Sequence, residues 1–167
     1  GTLCTWLYED HGADREYLNA PLLPVNPKGY VDSYRVPKFA YFFWQANYYK
    51  KPMIFILPHL WRTQYIGQQK DIVVDSNCDT VELSVNGSSL GFRYPNEANF
   101  HCVTFNNVLI QRGVISAKGK KDGQIINTRV VMAGEPAKII LTSIHNKIKA
   151  DRSSLEIIKA DIVDDQG

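Results

Sequence analysis

From Met53 onward, apolar and polar positions alternate with a period of two, the spacing of a strand with one face covered. In TVELSVNGSSLGF, residues 80–92, Val81, Leu83 and Val85 share one face, and Asn86-Gly87 follows them. That dipeptide tolerates the positive backbone dihedrals of a tight type I′ turn, so the stretch reads as a hairpin. Further runs predict strands over 53–58, 71–75, 80–85, 89–93, 100–105, 113–119, 125–133, 137–143 and 155–163. Lys121-Asp122-Gly123 supplies a second turn of the same kind.

Before residue 53 the pattern differs. NAPLLPVNPKGYVDSY carries Pro21, Pro24 and Pro27, which forbid regular structure. In VPKFAYFFWQANYYK the residues Phe39, Phe42, Phe43 and Ala46 recur at helical spacing, and Pro37 suits a first turn. One helix is expected over 37–49, with Ser33 or Tyr34 near its start and Pro52 ending it. Many short strands with turns between them and no helix among them specify a mainly β chain, an immunoglobulin-like antiparallel β-sandwich. The sequence holds no internal repeat and no low-complexity tract.

At 167 residues the chain is long enough to bury a core without disulfides. Nineteen Lys and Arg against seventeen Asp and Glu give a net charge of only +2, with the basic residues scattered, which speaks against nucleic acid as a partner. The longest apolar runs, 39–44 and 53–57, fall far short of the roughly 20 residues that span a bilayer, so no membrane partner is expected. Cys4, Cys78 and Cys102 are odd in number and lack CxxC spacing, which disfavours a metal knuckle. Cys78 and Cys102 read as buried free thiols, with a bridge between them as the alternative. The chain opens at Gly1 without a leader, the expected mark of an excised or processed piece.

Candidate chemistry is sparse. Asp10, His11 and Asp14 in EDHGAD are imaginable metal ligands, but no second cluster supports them, and no cofactor or metal is expected. Lys118, Lys120 and Lys121 in KGKKDG suggest either an anionic partner or, more simply, a solvated hairpin tip. Asn86-Gly87-Ser88 matches a glycosylation sequon, although the tight turn already accounts for Asn-Gly. His59, His101 and His145 lie in separate segments, and none has a Ser or Cys in a nucleophile motif beside it. Flat faces for sugar stacking are available from Trp6, Tyr8, Trp44, Tyr48, Tyr49 and Trp61, most of which read as core. Trp6, followed by Glu9-Asp10, stands out from them.

Several stretches together resemble the family 2 glycoside hydrolases of the bacterial β-galactosidase type. DIVVDSNCDTVELSVNGSSLG is similar to the strand pair of the immunoglobulin-like domain that follows their catalytic barrel. AGEPAKIILT, residues 133–142, resembles the closing strand of that domain, and KADRSSLEIIKADIVDDQG resembles the first strand of a following sandwich. TWLYEDHG is similar to the eighth barrel strand, where a Trp is followed four residues later by an Asp, here Trp6 and Asp10. GYVDSYRVPKFAYFFWQANYYKKPMIFILPHLW resembles the last barrel helix and the exit into the sandwich. LYEDHGADREY departs from the Gly-Phe-Asp-Tyr wording common after the barrel Trp.

The resemblance implies three parts. Residues 1–50 correspond to the end of a (β/α)8 barrel, 51–146 to an immunoglobulin-like sandwich, and 147–167 to a linker and the start of another sandwich. It also implies substrate-binding roles for Trp6 and Asp10, carbohydrate as the partner of the parent enzyme, and a periplasmic or secreted location. Retaining glycosidases use two carboxylates about 5 Å apart. In this family both glutamates fall on earlier barrel strands, so the chain itself is expected to be noncatalytic. The rival readings are a stand-alone carbohydrate-binding module and an immunoglobulin-like adhesion or assembly module. Leu3, Trp6, Phe39, Phe42 and Phe43 would pack inside a barrel. Without one, the segment is expected either to fold back near Trp61 or to pair with a second copy through residues 2–6, giving a homo-oligomer.

Overall fold

Alternation becomes sheet wherever a run is long enough to bury one side. The computed structural model describes residues 7–12 and 25–167. A short pair, β1 (His11–Gly12) and β2 (Val25–Asn26), precedes one helix, α1 (Phe39–Tyr48). Then follow β3 (Ile54–Ile56), β4 (Gln69–Ser76), β5 (Thr80–Val85), β6 (Ser88–Arg93), β7 (Cys102–Leu109), β8 (Val114–Lys121) and β9 (Gln124–Val131). Last come β10 (Lys138–Ser143) and β11 (Ile158–Val163).

The expected antiparallel sandwich is present, with β3-β4-β7 facing β6-β5-β8-β9. One sheet contributes Ile56, Ile72, Val74, Val103, Phe105 and Val108 to the core, and the other contributes Val81, Leu83, Val85, Ile115 and Ala117. Each such side chain, fully buried, contributes about 1.5–3 kcal/mol relative to exposure. Trp61, only 3% exposed, closes one end and donates its Nε1–H to the Gly113 carbonyl at 3.1 Å. It belongs to the core and offers no stacking face. The β5–β6 turn is as expected, with Asn86 and Gly87 at φ 49° and 85°, and Asp122 and Gly123 repeat it at 49° and 78°.

Several expectations are corrected. The helix begins at Phe39, after an extended Lys38 (φ −97°, ψ 171°), without a side-chain cap. Pro37 lies outside it because it bridges Val31, while Tyr34 sits in a turn whose N–H donates to the Asp32 carboxylate. The strand expected from residue 100 starts at Cys102, since Phe100 and His101 adopt left-handed φ of 53° and 54°. Lys118 and Lys120 do not form a hairpin tip but lie along β8, with Asp122-Gly123 at the turn beyond them. The strand expected at 155–163 begins at Ile158.

The largest correction concerns β10. Instead of closing the sandwich it pairs with β11, from Lys138↔Val163 to Ser143↔Ile158, in a separate two-stranded sheet. Ile139, Leu141, Ile158 and Ile162 are exposed on this ribbon. The local run was apolar enough to read as strand, but the partner of a strand is a long-range property that the run does not encode.

Part of the aromatic face of α1 is covered within the chain, while residues 2–6, the expected pairing segment, lie outside the described residues. The cover is Phe55 and His59 rather than Trp61. Phe42 stacks on Phe55 with centroids 3.6 Å apart and planes at 5°, and Phe39 approaches His59 at 5.5 Å while staying 42% exposed. Asn47 Nδ2 donates to the Phe100 carbonyl at 2.8 Å, tying the helix to the loop before β7.

Candidate functional site

The segment after Trp6 is organised by one carboxylate. Asp10, 9% exposed, receives the Gly29 N–H on Oδ1 at 2.7 Å and Lys38 Nζ at 2.9 and 3.1 Å on its two oxygens. Lys38 Nζ also donates to the Pro27 carbonyl at 2.7 Å, and the Ser33 hydroxyl donates to the Asp10 carbonyl at 3.1 Å. These bonds draw together three stretches distant in sequence: 9–12, 25–31 and the start of α1. A side chain at Gly29 would strike the backbone of Glu9, Asp10 and Val31, so the close approach requires glycine. Breaking such a pair by removing one partner leaves a largely buried charge unmatched.

Beside this junction an open aromatic groove of about 440 Å³ runs along α1, lined by Tyr8, Tyr30, Tyr41, Trp44, Gln45, Tyr48 and Tyr49. Trp44 stacks on Tyr48 with centroids 5.2 Å apart and tilts against Tyr30 at 5.8 Å. The lining offers π-faces, phenolic hydroxyls and one amide, which suit a sugar face or a packed neighbour. Among the described residues its lining holds no carboxylate, and therefore no acid and nucleophile pair.

The structure brings Tyr8, Trp44, Tyr48 and Tyr49 together in this groove and sets Asp10 beside it, engaged within the chain. Trp6 and Asp14 lie outside the described residues. Among those described, no three His, Cys, Asp or Glu side chains assemble as a metal centre. His59 packs at a tilt of 44° against Phe39, and His145 Nδ1 lies 3.0 Å from Glu156, so these histidines stay apart.

Sequence reasoning missed what Ser76-Asn77-Cys78 does. Asn77 Oδ1 accepts the Met53 N–H at 2.9 Å, and Nδ2 donates to the carbonyls of Tyr49 at 2.7 Å and Lys51 at 2.9 Å. Ser76 Oγ donates to the Met53 carbonyl at 2.8 Å and accepts the Cys78 N–H at 3.1 Å. The motif clamps the linker between helix and sandwich. The available signal was polar residues standing where strand alternation should have continued, at positions that are all buried.

Cys78 and Cys102 are both free. Burial pushes the Cys102 thiol up to about 11, helped by the neighbouring charge of Asp75, and burial also raises Cys78. Neither is an activated nucleophile. Asp75, 3% exposed and opposite Cys102 in the β4–β7 register, is itself raised by burial, partly offset by its bond to that thiol.

A domain of unknown function (DUF4982) matches residues 67–127. A β-glucuronidase of Formosa agariphila is 33% identical over 167 residues, covering 97% of this chain and 16% of the relative. β-Galactosidase BoGH2A of Bacteroides ovatus is 29% identical over 141 residues, covering 83% and 16%. Among solved structures, a β-glucuronidase from glycoside hydrolase family 2 is 32% identical at a TM-score of 0.80, with 97% of this chain and 17% of that one covered. A β-glycosidase from Bacteroides vulgatus is 29% identical at a TM-score of 0.80, with 96% and 20% covered. The chain thus spans about a sixth of the length of the curated relatives it matches.

Proposed function

Because this chain belongs to the family 2 glycoside hydrolases and corresponds to a C-terminal part of them, we propose that it is a noncatalytic, supporting region of an enzyme hydrolysing β-linked galactoside- or glucuronide-type glycans. The observation that supports this reading is the groove beside Asp10: rich in aromatic faces, without a carboxylate among its described lining residues, and flanked by an acid already bonded to Lys38 and Gly29. An acid serving as nucleophile or proton donor needs an oxygen directed at substrate, whereas Asp10 directs both of its oxygens inward. In this reading Asp10 anchors the segment that follows Trp6, and Trp6 is the proposed stacking face for sugar. The sandwich, clamped to α1 through Asn77, supports the barrel end. A periplasmic or secreted location is proposed alongside, on the family resemblance alone.

The test is turnover of aryl β-galactosides and aryl β-glucuronides by the chain alone. No turnover is expected. Hydrolysis that disappears on Glu9→Gln or Asp10→Asn would overturn the reading.

A further inference from the structure

The solvent face of the β6-β5-β8-β9 sheet carries a strip that the hydrolase reading does not use. The register aligns Phe92, Glu82, Lys118 and Asn127 across all four strands, since Glu82 pairs with Phe92 and Lys118, and Lys118 pairs with Asn127. The flanking rows add Lys120 opposite Thr80 and Arg129 opposite Ser116. Two depressions of about 260 and 230 Å³ lie side by side here, sharing Glu82 and Lys118.

A polar outer face is ordinary for a sandwich. Three features of this one are not accounted for by solvation alone. Phe92 is 53% exposed on a face where its neighbours are charged. Among the described residues, Lys118, Lys120 and Arg129 have no carboxylate within salt-bridge distance, so the strip carries uncompensated positive charge. Glu82, its one acid, is fixed by the Ser89 hydroxyl on Oε1 at 2.7 Å, leaving Oε2 to accept from a ligand. Each depression is smaller than the roughly 300–1,000 Å³ of an enclosed small-molecule site. Their adjacency suits an extended chain of small units better than one compact ligand.

We propose that this face binds an acidic oligosaccharide, with a sugar ring on Phe92, ring hydroxyls on Glu82 and Asn127, and the ligand's anionic groups on Lys118 and Lys120. The shared chemistry is a repeated anion on a saccharide, supplied by either uronate carboxylates or sulfate esters. The site is separate from the aromatic groove, and its occupancy does not depend on the chain's being noncatalytic.

The experiment titrates the full 167-residue chain with an oligouronate, a sulfated oligosaccharide, a neutral oligosaccharide of equal length and a single-stranded oligonucleotide of equal charge, followed by amide chemical shifts. One or both acidic saccharides should shift the amides of β5, β6 and β8 saturably. Lys118→Gln/Lys120→Gln should weaken binding about tenfold, and Phe92→Ala should weaken it separately. Both variants alter exposed side chains, so their unchanged melting temperatures serve as the folding control. If both acidic saccharides leave those amides unshifted, the proposal fails. It fails equally if the neutral sugar or the oligonucleotide binds as tightly, or if the folded lysine variant binds like the parent.

Discussion

Asn77 joins three backbone groups of the helix-to-sandwich linker, the Met53 N–H and the Tyr49 and Lys51 carbonyls, from a buried position. Replacing Asn77 by Ala leaves the buried Met53 N–H without its acceptor and releases two part-buried carbonyls, at a cost of about 1–3 kcal/mol, read as a lowered unfolding midpoint in denaturant. Asn77→Asp should be at least as harmful, because it turns a donor into an acceptor aimed at two carbonyls. Titration behaviour follows from Asp75 and Cys102. Both have folded-state values above their ordinary ones of 3.8 and 9.0, so both hold protons more tightly when folded. Their contribution is full below the ordinary value and is lost as pH rises through the folded one. Asp75→Asn, whose amide oxygen still accepts the Cys102 thiol, should therefore stabilise the chain at neutral pH, an advantage that shrinks as pH falls through the raised folded value and is gone below the ordinary 3.8. Cys102→Ala should flatten the loss of stability between pH 9.0 and about 11. A pH series of denaturant midpoints for both variants checks the two signs, and a constant difference across pH would contradict them. Little of this was legible in the sequence. Asp10 stood out as a polar residue near an aromatic one, but its engagement by Lys38 and Gly29 depends on a fold that brings residues 19 and 28 positions apart together.

At the scale of elements, local pattern carried much further. The expected helix and the strand runs all have counterparts, because period-two alternation and paired turn signals are properties of neighbouring residues. The Asn86-Gly87 turn is the firmest case. Gly87 sits at φ 85° with no atom near the position of a Cβ, so substitution there meets backbone strain and no clash. Gly87→Val should destabilise the sandwich by about 1–2 kcal/mol, and Gly87→Asn, better suited to positive φ, by less. Equal melting temperatures for all three chains would contradict the turn assignment. Boundaries were less legible. The start of α1 is set by Pro37 bridging Val31, and the start of β7 by left-handed Phe100 and His101. Neither departure leaves a mark on hydrophobic periodicity. The partner of β10 was the least legible of all. An apolar run announces a strand, while the choice between closing one sheet and starting another depends on contacts with Ile158–Val163.

On the proposed reading, the whole molecule is a scaffold for a reaction performed elsewhere in the enzyme. The sandwich core, the Asn77 clamp and the Asp10–Lys38 junction form one mechanical path from β3-β4-β7 through α1 to the segment following Trp6. In that path Ser76-Asn77-Cys78 serves structure, by holding the linker to the sandwich. The family could be read from the order of several motifs although no catalytic signature is among them. The central claim is that this chain supplies no glycosidic nucleophile. A retaining glycosidase forms a covalent glycosyl ester on a carboxylate, so the most direct test is incubation with activated fluoroglycoside inactivators of the galactosyl and glucuronyl types, followed by intact mass measurement. The account predicts an unchanged mass after long exposure; a stoichiometric glycosyl adduct that maps to Glu9 or Asp10 and is lost with its substitution would contradict it.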